Sequence, residues 1–113
     1  MAFNHILVAR KRIEFIAYNY VVSEHAKERL KERSQYRTLK QCILNSSLAW
    51  RAADGYIKIA FSKYEYIIVA MSDNVPVVVT FVNCKSNGDT VTDRFLKDYL
   101  GDFYDKEYKK GDD

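Results

Sequence analysis

Between Tyr56 and Val82 the chain holds three runs rich in β-branched and aromatic residues: Tyr56 to Phe61, Tyr64 to Met71 and Val77 to Val82. Only Ser62-Lys63 and a short polar segment around Ser72-Asp73-Asn74 separate them. Connections this short leave no room for a crossover helix, so successive runs must pair antiparallel as a meander. Pro76 lacks an N–H for the ladder, which predicts that the third strand begins just after it.

Upstream, Ser23-Glu24-His25-Ala26-Lys27-Glu28-Arg29-Leu30-Lys31-Glu32-Arg33-Ser34 reads as one short helix. The Ser23 hydroxyl is suited to accept from the free N–H groups of the first turn, and Glu24 sits where the helix dipole favours negative charge. Ala26 and Leu30 form an apolar stripe for a core. His25, Arg29 and Arg33 recur every four residues and form a cationic stripe beside it.

The segment from Asn4 to Val22 is rich in β-branched and aromatic residues, above all Ile13 to Val22, which predicts a strand leading into the Ser23 cap. Ile6, Ala9, Ile13 and Ile16 also suit a helical face, so a helix up to about Arg12 is an alternative. After a turn at Ser34-Gln35-Tyr36-Arg37, Thr38 is placed to cap a second helix through Leu39, Cys42, Ile43 and Ala49. Ala52-Ala53-Asp54-Gly55 ends the helical region in a turn. Beyond an Asn83 to Asp89 loop, Thr92-Asp93 caps a final helix with Phe95, Leu96, Tyr99, Leu100 and Phe103 on one side, and Gly101 is a candidate breaker.

The expected architecture is therefore α+β. A twisted antiparallel sheet of about four strands carries a helical hairpin on one face, and a C-terminal helix closes an edge. We read residues 1–113 as a single domain, with a core over about 13–85 and a C-terminal helical extension over 92–108. The 48% apolar content supports a packed core. Cys42 and Cys84 have neither metal-ligand spacing nor companion cysteines, so reduced thiols and a cytoplasmic location are expected. The apolar Ile6-Leu7-Val8-Ala9 is too short for a signal peptide or a membrane span, and Arg10-Lys11-Arg12 follows it.

Charge is unevenly distributed. Residues 1–63 hold twelve Lys/Arg against five Asp/Glu, whereas residues 64–113 hold six against ten. A basic half of this kind suits a polyanion partner, or is simply a solvated surface. The sequence has no zinc pattern, phosphate-binding glycine loop, nucleotide fingerprint or serine elbow, and no cofactor is expected.

The stripe on the Ser23 helix carries the most chemistry. Histidine is the usual general base near neutral pH, and two guanidiniums can hold a phosphodiester and stabilise the charge of a pentacoordinate transition state. The outline is a metal-free ribonuclease: a base takes the 2′-OH proton, that oxygen attacks the adjacent phosphate, and a second group protonates the leaving 5′-oxygen. The alternative is structural, with His25 and Arg29 pinning the helix to the sheet edge. Arg10, Lys11, Arg12 and Lys58, interleaved with Trp50, Tyr56 and Tyr64, are candidates for RNA binding through cations and stacked bases. Thr80 and Lys85, near the end of the third meander strand, are candidates to complete a phosphate site. Tyrosines as ordinary sheet residues are the competing explanation.

The run Val22-Ser23-Glu24-His25-Ala26-Lys27-Glu28-Arg29-Leu30-Lys31-Glu32-Arg33 resembles a family of small bacterial and phage proteins with an S-x-H-A-x-x-R-x-x-x-R pattern. That family is similar to RelE toxins and the colicin D ribonuclease, within the barnase, EndoU, colicin and RelE superfamily. The resemblance spans about Ile13 to Lys85. It implies metal-independent cleavage of messenger or transfer RNA, with His25, Arg29 and Arg33 at the family's His and Arg positions. An antitoxin or a host target protein is an implied partner. The acidic helix from Asp93 onward lies outside the family pattern, and suits blocking RNA, binding a basic surface or forming a homodimer. A non-catalytic protein that binds and inhibits a host or defence protein is the alternative function.

Overall fold

The structure, a computed structural model, describes residues 7–32 and 38–101. In chain order these form α1 (Arg10–Asn19), β1 (Val21–Val22), α2 (Glu24–Glu32), α3 (Leu39–Leu44), β2 (Ala49–Arg51), β3 (Ile57–Ala60), β4 (Glu65–Ser72), β5 (Val75–Asn83), a 3-10 turn (Lys85–Asn87) and α4 (Val91–Leu100). The class is α+β with a C-terminal helix. The sheet has five strands in the order β1-β5-β4-β3-β2, and it is mixed, because β1 runs parallel to β5 while every other pair is antiparallel.

The expected meander is present as β3, β4 and β5. Asp73 and Asn74, with φ of 51° and 68°, form the two-residue turn between β4 and β5, both in the left-handed conformation that a type I′ hairpin requires. The third strand starts earlier than expected, at Val75, and contains Pro76. Ser72 and Val75 flank the turn, so Pro76, opposite Met71, falls at a non-hydrogen-bonded position of the ladder, where its missing N–H costs β4 nothing. A register shift at Ile68/Val69 leaves Val79 as an extra residue in β5.

The strand expected from Ile13 to Val22 is helical over most of its length, and only Val21–Val22 remain extended. As a strand, Ile13 and Ile16 would point to opposite faces; as a helix, Ile13, Ile16 and Ala17 share one buried face. Burying an Ile side chain is worth about 2 kcal/mol, against the roughly 1 kcal/mol span of strand propensity, so the shared face decides the conformation.

The expected second helix ends at Leu44, and Ala49–Arg51 joins the sheet as β2. The added β2 accounts for the fifth strand, since β1 is what remains of the expected N-terminal strand.

Helices α1, α2 and α3 all cover one face of the sheet. Ile16, Ala26, Leu30, Leu39 and Ile43 pack there against Ile57, Ile59, Ile67, Val69, Val78 and Phe81. The opposite face carries a second core of Trp50, Tyr66, Cys84, Val91 and Phe95, closed by α4. The C-terminal helix thus lies on a face and does not close an edge. Its cap is Thr90, two residues before the expected position: the Thr90 hydroxyl accepts from Asp93 N–H at 3.1 Å and the Asp93 carboxylate accepts from Thr90 N–H at 2.9 Å. Gly101, with φ of 58°, ends α4 as expected, and Phe103 lies outside the described residues. No helix of the described residues is long and apolar enough to cross a membrane.

Candidate nucleic-acid interface

Ser23 fixes the start of α2. Its hydroxyl accepts from Ala26 N–H at 3.1 Å and donates to the Val79 carbonyl at 3.1 Å, while its own N–H donates to the Val78 carbonyl at 3.0 Å. A single residue thus caps the helix and ties it to the irregular stretch of β5. Ala26 and Leu30 are fully buried, and this sets the rotation of the helix.

That rotation leaves His25 and Arg29 exposed, one turn apart on the outer side of α2. Neither forms an ion pair among the described residues. Arg33 lies outside the described residues.

The other candidate cations are dispersed. Arg10 turns towards the end of α3, donating to the Ser46 carbonyl at 3.1 Å and to the Leu44 carbonyl, and it lies 3.9 Å from Glu14. It satisfies carbonyls left unpaired at a helix C-terminus. Lys58, on β3, is on the α4 side of the sheet, opposite α2, and its ammonium is 2.7 Å from the Asp98 carboxylate. The same Asp98 oxygen accepts from the Trp50 indole at 2.8 Å. Thr80 is half-buried and pairs with Ile68, which packs into the α4-side core. Lys85 stands beyond the end of β5, 5.6 Å from the centre of the Tyr64 ring, with Lys63 at 5.4 Å from the same ring.

Among the candidate stacking residues, Trp50 is fully buried against Phe95, with ring centres 5.4 Å apart and planes at 71°. It is a core residue. Tyr64 is half-buried, and Tyr56 is exposed. Cys84 is buried and its thiol donates to the Tyr64 carbonyl at 3.2 Å. Burial raises its pKa, with the Arg94 charge opposing, so the thiolate needed for nucleophilic chemistry is disfavoured. No group of three or more His, Cys, Asp and Glu among the described residues is arranged to hold a metal ion.

Lys11 and Arg12 are exposed on the first turns of α1 and line an open groove of about 580 Å³ with Ala9, Phe15, Met71 and Asn74. Met71 packs against the helix-side core, so the groove is on the same side of the sheet as His25 and Arg29. Sequence reasoning selected the two cations and missed Phe15, Met71 and Asn74. The available signal was Phe15 itself, a large aromatic falling between the buried Ile13 and Ile16 once the segment is helical.

Of the residues expected to act together, His25 with Arg29 and Lys11 with Arg12 are neighbours on two helices of one face, whereas Lys58, Thr80 and Lys85 belong elsewhere. No protein-family model matches the chain, and no curated protein or solved structure matches it either.

Proposed function

We propose that the chain is a small metal-independent endoribonuclease of the toxin type, acting on messenger or transfer RNA, with α2 as the reactive helix. The observation that carries this reading is the pair His25 and Arg29, exposed one turn apart on a helix anchored at its first turn by Ser23. His25 takes the 2′-OH proton, the freed oxygen attacks the adjacent phosphorus, and Arg29, with Arg33, offsets the added negative charge. The leaving 5′-oxygen is protonated by the imidazolium so formed or by water. The resemblance around Ser23 to Arg33 supports the same assignment.

A second reading, a non-catalytic protein that binds a host or defence protein, is favoured by a different observation. Val21 and Val75 are 50% and 41% exposed on neighbouring strands, a small apolar surface at the β1 side of the sheet.

The test is incubation of wild-type and His25→Ala protein with total bacterial RNA in chelator, read on a denaturing gel. Fragments from the wild type only support the ribonuclease. Intact RNA in both lanes rejects it and leaves the protein-binding reading, to be pursued with a Val21→Asp/Val75→Asp variant in partner capture.

A further inference from the structure

We infer that the groove between the start of α1 and the β4–β5 turn binds one unpaired nucleotide of an RNA strand, with its base on Phe15 and its phosphate at Lys11 and Arg12. The inference rests on the RNA reading above and adds a binding site separate from the reactive helix.

Four features of the groove bear on its ligand. Phe15 is 42% exposed on a helix that buries Ile13, Ile16 and Ala17, and it lines the groove, where its flat ring is available for stacking. Met71 adds a polarizable thioether to the lining, and Asn74 supplies an amide with both a donor and an acceptor. Lys11 and Arg12 are exposed and form no ion pair among the described residues, in contrast to Lys58 and Arg94, which are paired with Asp98 and Asp89. None of the lining residues is acidic.

The backbone acts in the same direction. Ala9 offers no side-chain cap to α1 and the first turn holds no acidic residue, so the positive pole of this ten-residue helix is not neutralised at the groove. A stacking ring, a hydrogen-bonding amide and uncompensated positive charge together match a nucleobase joined to a phosphate. The groove is open along one side, with a volume of about 580 Å³, which suits a nucleotide that remains part of a longer strand.

The groove also has a geometric relation to α2. Val75, beside the hairpin turn, and Val79, to which Ser23 is bonded, are four residues apart on β5, about 13 Å along the strand. One RNA strand can therefore reach both the groove and His25, with the groove setting which phosphate is presented.

The experiment is fluorescence-anisotropy binding of a labelled single-stranded oligouridine of about twelve nucleotides, over a salt series, in parallel with the cleavage assay. Phe15→Ala and Phe15→Leu are expected to weaken binding about tenfold, and Phe15→Tyr to retain it, since only a ring can stack. Lys11→Gln/Arg12→Gln is expected to lower the slope of log affinity against log salt by about 0.7, the value for one phosphate on a single strand. Lys97→Gln, which removes an exposed cation on α4 at the opposite face of the sheet, is expected to bind as the wild type does.

If the wild type binds or cleaves RNA and the Phe15 and Lys11/Arg12 variants bind equally well, the groove assignment is wrong and the RNA reading survives. If groove variants lose affinity while His25→Ala still cleaves, the groove stands and the catalytic assignment fails. A wild type that neither binds nor cleaves overturns both, as does tighter binding of uridine monophosphate than of the oligonucleotide for the strand assignment.

Discussion

The Lys58 ammonium lies 2.7 Å from the Asp98 carboxylate beneath α4, joining β3 to a helix 40 residues away in sequence. The two side chains are only 15% and 23% exposed, and Asp98 also accepts from the Trp50 indole. Asp98→Ala leaves a cation and an N–H in the α4-side core without their acceptor. The expected cost is about 2 kcal/mol, below that of a fully buried pair because some solvent reaches the site. Lys58→Met, which leaves Asp98 bonded to Trp50, should cost about half as much. Trp50 is the single tryptophan of the chain, so urea denaturation followed by its fluorescence measures both variants.

Ser23 makes one bond as a cap and another as a donor, and substitutions separate the two. Ser23→Ala loses both and is expected to destabilise by about 1.5 kcal/mol. Ser23→Thr keeps both and should remain near wild type. Ser23→Asp keeps the cap but sets a carboxylate against the Val79 carbonyl, so it should fall between them. Equilibrium denaturation ranks the three, and an unchanged Ser23→Ala protein would remove Ser23 as the anchor of α2.

Asn74 adopts φ of 68° at the second position of the two-residue turn. Glycine takes this conformation without a Cβ penalty, so Asn74→Gly is expected to raise stability by about 0.5 kcal/mol, and Asn74→Val to lower it by more than 1 kcal/mol. Thermal melting should show the two variants on opposite sides of the wild type.

Burial raises the pKa of Cys84 above that of an unfolded thiol. Below the unfolded value, about 8.5, both states carry the proton and the contribution to stability is complete. Above it the unfolded chain ionises while the folded one does not, and stability is lost until pH passes the folded value. In Cys84→Ala this loss is absent, so above about pH 8.5 its stability should fall less steeply than that of the wild type, by at most about 1.4 kcal/mol per pH unit. Parallel slopes would show that Cys84 does not titrate on unfolding. Thiol labelling of native protein at neutral pH should likewise modify the half-buried Cys42 well before Cys84.

Where local signals were sufficient, the sequence led to the right elements. The Asp54-Gly55 and Asp73-Asn74 turns, the Ser23 cap and the Gly101 stop each depend on residues within a few positions of one another. The errors arise where a distant surface decides. Residues Ile13 to Tyr20 have strand composition, yet the helical face of Ile13, Ile16 and Ala17 prevails because it covers the sheet. Trp50 follows directly on the helix expected through Ala49, yet in the fold it is a strand residue whose packing partner, Phe95, comes from α4.

The same holds for the candidate site. His25 and Arg29 are visible as neighbours from helical spacing, but whether a given lysine is available is not a property of its surroundings in sequence. Lys11 and Lys58 look alike in the chain, and only the position of Asp98 distinguishes them. The groove draws on residues 9–15 and 71–74, which nothing local joins.

The two outer strands of the sheet are very short, with two residues in β1 and three in β2. The outer side of β2 is covered by Leu7, bridged to Trp50, and by Val8, whose N–H donates to the Ala49 carbonyl at 3.0 Å, and β1 offers a strand from another molecule too short an edge to hold it in register. The brevity of β1, together with the break that Val79 introduces in β5, therefore works against edge-to-edge polymerisation, and a chain rich in β-branched residues is kept from adding copies of itself along the sheet.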